Sequence, residues 1–196
     1  MASDPTILAF DTSAAHCAAA LLSGGRIVTS RAEEMSRGQA ERLMPLLEEV
    51  LKEAGLSWRD LDAIGVGTGP GNFTGIRISV SAARGLALGL NVSAYGIDGF
   101  ASRRQVLGVS GPVTVPAPRN QVYLSQAQTA PVLIPLTEAE TIAGPLPAEP
   151  TPVALAEAIV HLAAKVWPQP APPPAPLYIR PADAAPSADV PPVLLD

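Results

Sequence analysis

Proline divides this chain more sharply than any other residue type. Pro5, Pro45 and Pro70 are the only three before residue 111, and the other 19 of the 22 prolines follow it. Proline fixes φ and lacks an amide donor, so it is largely excluded from helix interiors and central strands. The first 110 residues can therefore build a regular, well-packed α/β lobe. Residues 111–196 are expected to form a second lobe that is smaller, reduced and rich in loops. Within it, "PQPAPPPAP" (168–176) can be neither helix nor central strand and reads as an extended, polyproline-like linker. "LYIRP" follows as a short strand or anchor, with a mobile tail beyond it.

In the first stretch, "TILAFD" (6–11) is apolar on consecutive positions, as in a central strand buried on both faces. "CAAALL", "SGG" and "RIVTSR" make a hairpin. A helix is predicted over 39–54 with Leu43, Leu47, Val50 and Ala54 in one stripe and Gly55 just past its end. Pro45 falls in its early turns, at its true start or at a kink. Strands follow at 62–67 and 92–97, with a helix over 74–90 between them, ended by Asn91 or its neighbours, and a short helix near Phe100. After Gly111, "PVTVPA" and "QVYLSQAQ" read as a β-pair and 153–167 as a helix. The order β, hairpin, helix, β, helix, β is α/β with a mixed sheet.

Charge and cysteine content narrow the function. The net charge is −5, with Lys52 and Lys165 the only lysines, whereas a chain that grips nucleic acid by itself normally presents a basic face. Arg103, Arg104 and Arg119 make at most a small cluster, so strong, direct RNA binding by this chain alone is not expected. Cys17 is the single cysteine, which excludes an internal disulfide and fits a reducing, cytoplasmic setting. No apolar run approaches a membrane span and no signal peptide is visible.

Two stretches carry the types of residue that hold phosphate. Asp11 ends the first strand, and Thr12 and Ser13 follow in the turn. Their hydroxyls could face a phosphate and Asp11 a metal-bound water, although the same three residues equally satisfy backbone donors in a tight turn. In "GVGTGPGNFTGIRIS", Gly67, Gly69 and Gly71 permit a run of amides aimed at an anion before a helix N-terminus. The phosphate-loop pattern also needs a lysine after the last glycine. None is present, and Arg77, one turn into the helix, is the only cation at hand. His16 and His161 are far apart, so no metal site is expected, nor any cofactor, and no catalytic set stands out.

Taken together, "ILAFDTS", "QAERLMPLLEEVL", "LDAIGVGTGPGNFTGIRIS", "ARGLALGL", "RNQVY" and "PLYIRP" resemble the TsaB (YeaZ) family. The resemblance implies an actin/Hsp70-like (ASKHA) fold with a complete N-terminal lobe over 1–110 and a reduced, proline-rich second lobe over 111–196. It also implies a non-catalytic scaffold and activator subunit in the formation of threonylcarbamoyladenosine on tRNA. The implied partners are the catalytic TsaD paralogue, which carries the metal and nucleotide, and the TsaE ATPase. Gln39 stands where the paralogue has a metal-binding histidine, and Ala117-Pro118-Arg119 replaces the usual D-A-R. On this reading Asp11, Thr12, Ser13, Gly67, Gly69 and Gly71 form a vestigial phosphate loop. The partner interface then falls on Gln39 and Leu43 of the first helix and on Gly75, Ser79, Ala82, Leu86 and Gly89 of the second. Without the partner, the same patch would form a homodimer. The alternative is a stand-alone ASKHA ATPase or phosphotransferase acting through Asp11 and the glycine loop.

Overall fold

The computed structural model describes residues 4–126 and 129–179. Arg180 and Pro181 of "PLYIRP", the tail after them, and the last two residues of "QVYLSQAQ" lie outside the described residues. The larger sheet contains β1 (Ile7–Asp11), β2 (His16–Ser23), β3 (Arg26–Glu34), β4 (Ala63–Gly67) and β5 (Ser93–Ile97), in the order β3-β2-β1-β4-β5. The hairpin strands pair antiparallel, while β1–β4 and β4–β5 are parallel, giving the mixed sheet that the element order predicts. β1 lies at the centre and is buried along its whole length.

The two faces of β1 differ in size. Leu8 and Phe10 point into a cluster with Leu43, Leu46, Leu47 and Val50 of α1 (Gln39–Glu53) and Ala83 of α2 (Phe73–Leu90). Ile7 and Ala9 point to the other face, where Ala18, Ala20 and Ala63 meet Ala156, Ile159, Val160 and Ala163 of α5 (Pro152–Val166). Small residues on both sides let α5 approach closely. At Gly65 an added Cβ would lie 3.0 Å from that of Ala9 and 3.3 Å from Ile159 Cγ2.

α5 thus covers one whole face of the first sheet although it follows most of the prolines. It packs on all five strands. The sequence boundary at 110/111 is therefore not a boundary of the core. Thr151 caps α5 by accepting from the Ala154 amide, and Pro152 occupies the first turn, where its missing donor costs nothing.

The residues between the faces form a second, smaller sheet. β6 (Val113–Ala117), β7 (Gln121–Ser125) and β8 (Val132–Pro135) run antiparallel in that order, with α4 (Leu136–Ala143) following. The β6–β7 pair matches the sequence reading; β8 and α4 have no counterpart in it. Their stretch is bounded by Pro131 and Pro135, and Ala139 is the only buried residue of α4, so no amphipathic stripe announces a helix. α3 (Gly99–Leu107) connects the two sheets, with Asp98 accepting from the Phe100 and Ala101 amides. Pro45 lies inside α1 rather than at its start, and its flanking turns are held by Leu43, Leu46 and Leu47 in the core. α2 runs from its Asn72 cap to Asn91, which ends it in the left-handed conformation at φ 57°. Among the described residues, no helix is long and apolar enough to cross a membrane.

Cys17 sits wholly inside the cluster beneath α1, and burial, reinforced by the negative charge of Glu33, pushes its thiol from 9.0 up to about 12. Between those values the unfolded chain loses the proton while the folded chain keeps it, so this group's contribution to stability falls as pH rises through the window. Because Cys17 is wholly buried and held as a thiol, its labelling by a thiol reagent at pH 8 should be strongly retarded in the folded chain relative to urea. Fast labelling in native buffer would show that α1 opens without global unfolding.

Candidate functional site

The two phosphate-like stretches meet. The parallel pairing of β1 with β4 brings the turn after Asp11 against the glycine loop after Gly67. The two segments are bonded directly to each other: the Asn72 amide donates to the Ser13 carbonyl at 2.6 Å, and Thr12 Oγ1 donates to the Gly75 carbonyl at 2.6 Å. Ser79 Oγ, also buried, lies 3.3 Å from the Gly67 carbonyl.

Two of the glycines are demanded by this contact rather than by turn geometry. A Cβ on Gly67 would overlap Asp11 Oδ1, and one on Gly75 would overlap the Thr12 carbonyl oxygen. Gly71 faces the Ser13 carbonyl in the same way, and Gly69 backs onto Ile76. The loop wraps the chain's own turn. Its position is further set from outside by the Thr68 amide donating to the Ile97 carbonyl (3.0 Å) and the Gly99 amide donating to the Gly69 carbonyl (2.8 Å).

Asp11 is 4% exposed. Its Oδ2 accepts from Ser13 Oγ at 2.9 Å and lies 2.8 Å from His16 Nε2. Oδ1 is buried with no partner among the described residues. Beside it is a cavity of about 10 Å³, lined in part by Ser13, Gly67, Ser102 and Arg103. That is the volume of about one water, against the ~300–1,000 Å³ of sites that hold drug-sized ligands. The Asp11–His16 contact escapes sequence reading, because a spacing of five places two residues on one site only once a turn returns the chain antiparallel.

The cations near the loop are oriented by other groups. The Arg77 guanidinium lies 3.9 Å above the Phe73 ring, and its Nε donates to Tyr178 Oη at 2.9 Å. Arg103 is buried, pairs with Glu149 and donates to the Gly99 carbonyl at 2.9 Å. Arg104 donates to the Ser125 carbonyl at 3.2 Å. Arg119, in a left-handed conformation at φ 62°, belongs to the turn between β6 and β7. Among the described residues no three His, Cys, Asp or Glu side chains converge as a metal site would require.

The stripe assigned to a partner divides. Leu43 is in the core of α1, Gly75 and Ser79 are enclosed against the site, and Gln39 is buried with its amide donating to the Met35 carbonyl at 3.1 Å. These four are enclosed within the chain itself. Ala82 and Leu86 are half-buried at the rim, and Gly89 is exposed. Beside Gly89, Leu88 is 85% exposed, and among the described residues a Cβ on Gly85 or Gly89 would meet nothing within 4 Å.

Comparison with known proteins places this geometry in context. Residues 25–130 match the family described as TsaD: tRNA N6-adenosine threonylcarbamoyltransferase. The tRNA threonylcarbamoyladenosine biosynthesis protein TsaB of Haemophilus influenzae is 34% identical over 126 residues, covering 62% of this chain and 53% of the relative. The protein of that name from Escherichia coli is 38% identical over 92 residues, covering 47% of this chain and 39% of the relative. The chain therefore spans about half or less of these curated relatives. Among solved structures, YeaZ from Pseudomonas aeruginosa superposes with a TM-score of 0.66 at 26% identity, covering 89% of this chain and 100% of that one.

The contact between the two turns predicts opposite outcomes for the same substitution on one helix. Gly85→Ala, in open space, should stabilise by up to ~1 kcal/mol in urea unfolding, as alanine does in a helix. Gly75→Ala should destabilise by about 1–3 kcal/mol, because the methyl displaces the Thr12 carbonyl. Equal effects at both positions would mean that the turns do not press together in solution.

Proposed function

The chain belongs to the family of the tRNA N6-adenosine threonylcarbamoyltransferase TsaD and, among its members, to the TsaB (YeaZ) proteins, and on that premise we propose that it is the non-catalytic scaffold and activator subunit of a threonylcarbamoyl transferase complex. Its partner on this reading is a catalytic TsaD-type chain, joined by the TsaE ATPase. The complex brings it to tRNA in the cytoplasm. Alone, the chain pairs with a second copy of itself. We read its α/β architecture as the actin/Hsp70-like (ASKHA) arrangement, with 111–150 as the reduced second lobe and α5 returned to the first.

One observation carries the non-catalytic reading. The place where a phosphate would lie against a glycine loop is taken by the Thr12–Ser13 turn and by Asp11, leaving about 10 Å³. The cavity at this contact is far smaller than a nucleotide needs. The chain's role then has to come through its surface.

The surface best suited to a partner is the exposed end of α2. Gly85 and Gly89 allow another helix to approach at the lower end of the usual ~8–10 Å separation, and Leu88 supplies apolar area beside them. Ala82 and Leu86 continue the same face towards the core.

Co-purification with a TsaD paralogue, followed by threonylcarbamoyl transfer to tRNA with and without this chain, tests the role. Transfer should require both chains. Unimpaired transfer by the paralogue alone, or transfer by this chain alone, would overturn the assignment. For the surface, Leu88→Arg should abolish pairing in light scattering while changing folding stability by no more than ~0.5 kcal/mol. A folded variant that pairs normally would move the interface off this end of α2.

A further inference from the structure

One side of α2 gathers aromatic rings and unneutralised arginines. Phe73 and Tyr178 stack with ring centroids 5.0 Å apart and an interplanar angle of 27°, yet Phe73 remains 52% and Tyr178 43% exposed. Arg77 lies over Phe73 and its Nε donates to Tyr178 Oη, while its terminal amino groups have no hydrogen-bond partner among the described residues. Tyr123 joins Phe73, Arg77 and Tyr178 in lining a groove of about 480 Å³. A second groove of about 450 Å³ shares Arg77 and continues along the helix to Arg84. Neither groove is lined by an acidic side chain, and among the described residues neither arginine pairs with a carboxylate.

The spacing makes this one continuous track. At ~100° per residue, Phe73, Arg77 and Arg84 fall within about 40° of one another around the helix, and Arg77 and Arg84 stand ~10 Å apart along its axis. Three of the chain's eight aromatic residues meet here. Large rings half in water are costly to expose unless something covers them. The cover must offer flat π-surface to the rings and negative charge to both arginines, repeated along a line. A single-stranded nucleic acid has that chemistry, because its bases stack on aromatic side chains while its phosphates follow cationic groups. An acidic peptide would satisfy the arginines without using the rings.

We propose that Phe73, Tyr178, Arg77 and Arg84 form a contact site for unpaired nucleotides of RNA, with bases on the rings and phosphates on the guanidinium groups. This deepens the reading of the chain as a subunit acting on tRNA and rests on it for the identity of the RNA. The track lies about a third of a turn around α2 from Gly85 and Gly89, with Leu88 on the border between the two faces. With a net charge of −5 the contact is weak by itself and serves to orient a strand held mainly by others.

Photo-crosslinking of the full chain to a short unpaired RNA carrying one 4-thiouridine, with peptide mapping, tests the site. Crosslinks should fall on the peptides containing Phe73 or Tyr178. Phe73→Leu should weaken binding about tenfold while Phe73→Tyr restores it, and Arg77→Gln with Arg84→Gln should flatten the salt dependence. Folding of each variant is checked by circular dichroism. Crosslinks elsewhere, binding indifferent to these changes, equal binding of duplex RNA, or binding of AMP with no binding of the strand would each overturn it. The transfer assay separates the two readings. Wild-type support of transfer with no crosslink on the track removes only the RNA site; crosslinking that depends on Phe73, without support of transfer, removes only the subunit role.

Discussion

The contact between the turn after β1 and the loop after β4 holds the rest of the structure in place. The two strands are parallel neighbours at the centre of the sheet, so their following turns emerge on the same edge and must share space. They share it by omission of side chains at Gly67 and Gly75, where the Asp11 carboxylate and the Thr12 carbonyl sit instead. That closeness fixes where α2 begins, since Asn72, its cap, is bonded through its amide to Ser13. α2 in turn determines how α1 closes the core and where the aromatic groove lies.

A loop of this composition is ambiguous in sequence for a physical reason. Glycine is selected wherever backbone approaches another group closely, and the other group can be a phosphate or the chain's own carbonyl. The letters between Gly65 and Ser79 describe the lack of Cβ atoms and not what fills the gap. A phosphate loop also carries a lysine after its last glycine, and this loop has none. Which group fills the gap depends on the pairing of β1 with β4, and pairing is not a local property. The same limit hides the Asp11–His16 contact.

Legibility elsewhere followed the strength of the repeating pattern. β1, the hairpin, α1 and α2 were evident because their apolar residues recur at the right spacing and their ends carry Gly55 and Asn91 in the conformations that stop a helix. Proline was a sound guide to local regularity and a poor one to tertiary allegiance. It marks residues 111–150 as broken into short elements, yet α5 sits among prolines in sequence and on the first sheet in space. Thr151 and Pro152 begin that helix cleanly, and its alanines match the small-residue face of the sheet. Complementarity of this kind between distant segments decides which lobe a helix joins, and it is invisible to any window that holds only one of them.

The glycines of α2 then separate into two kinds by what surrounds them. Gly75 is held in place by the Thr12 carbonyl, so the fold accounts for it. Among the described residues Gly85 and Gly89 have nothing within 4 Å of a Cβ position, and each weakens the helix by ~1 kcal/mol relative to alanine. Asn72 at one end, Asn91 at the other and the buried row of Ile76, Val80 and Ala83 are sufficient to keep the helix formed despite that loss. Among the described residues no side chain or backbone group takes up the space in return. The loss is explained if the bare backbone there is met by something outside the chain, which is the same demand that Leu88 makes by its exposure. On the opposite flank Phe73 and Arg77 are large where Gly85 and Gly89 are small. One helix thereby presents a shallow face for close backbone approach and a ridged face for rings and phosphates, with the sheet occupying the third.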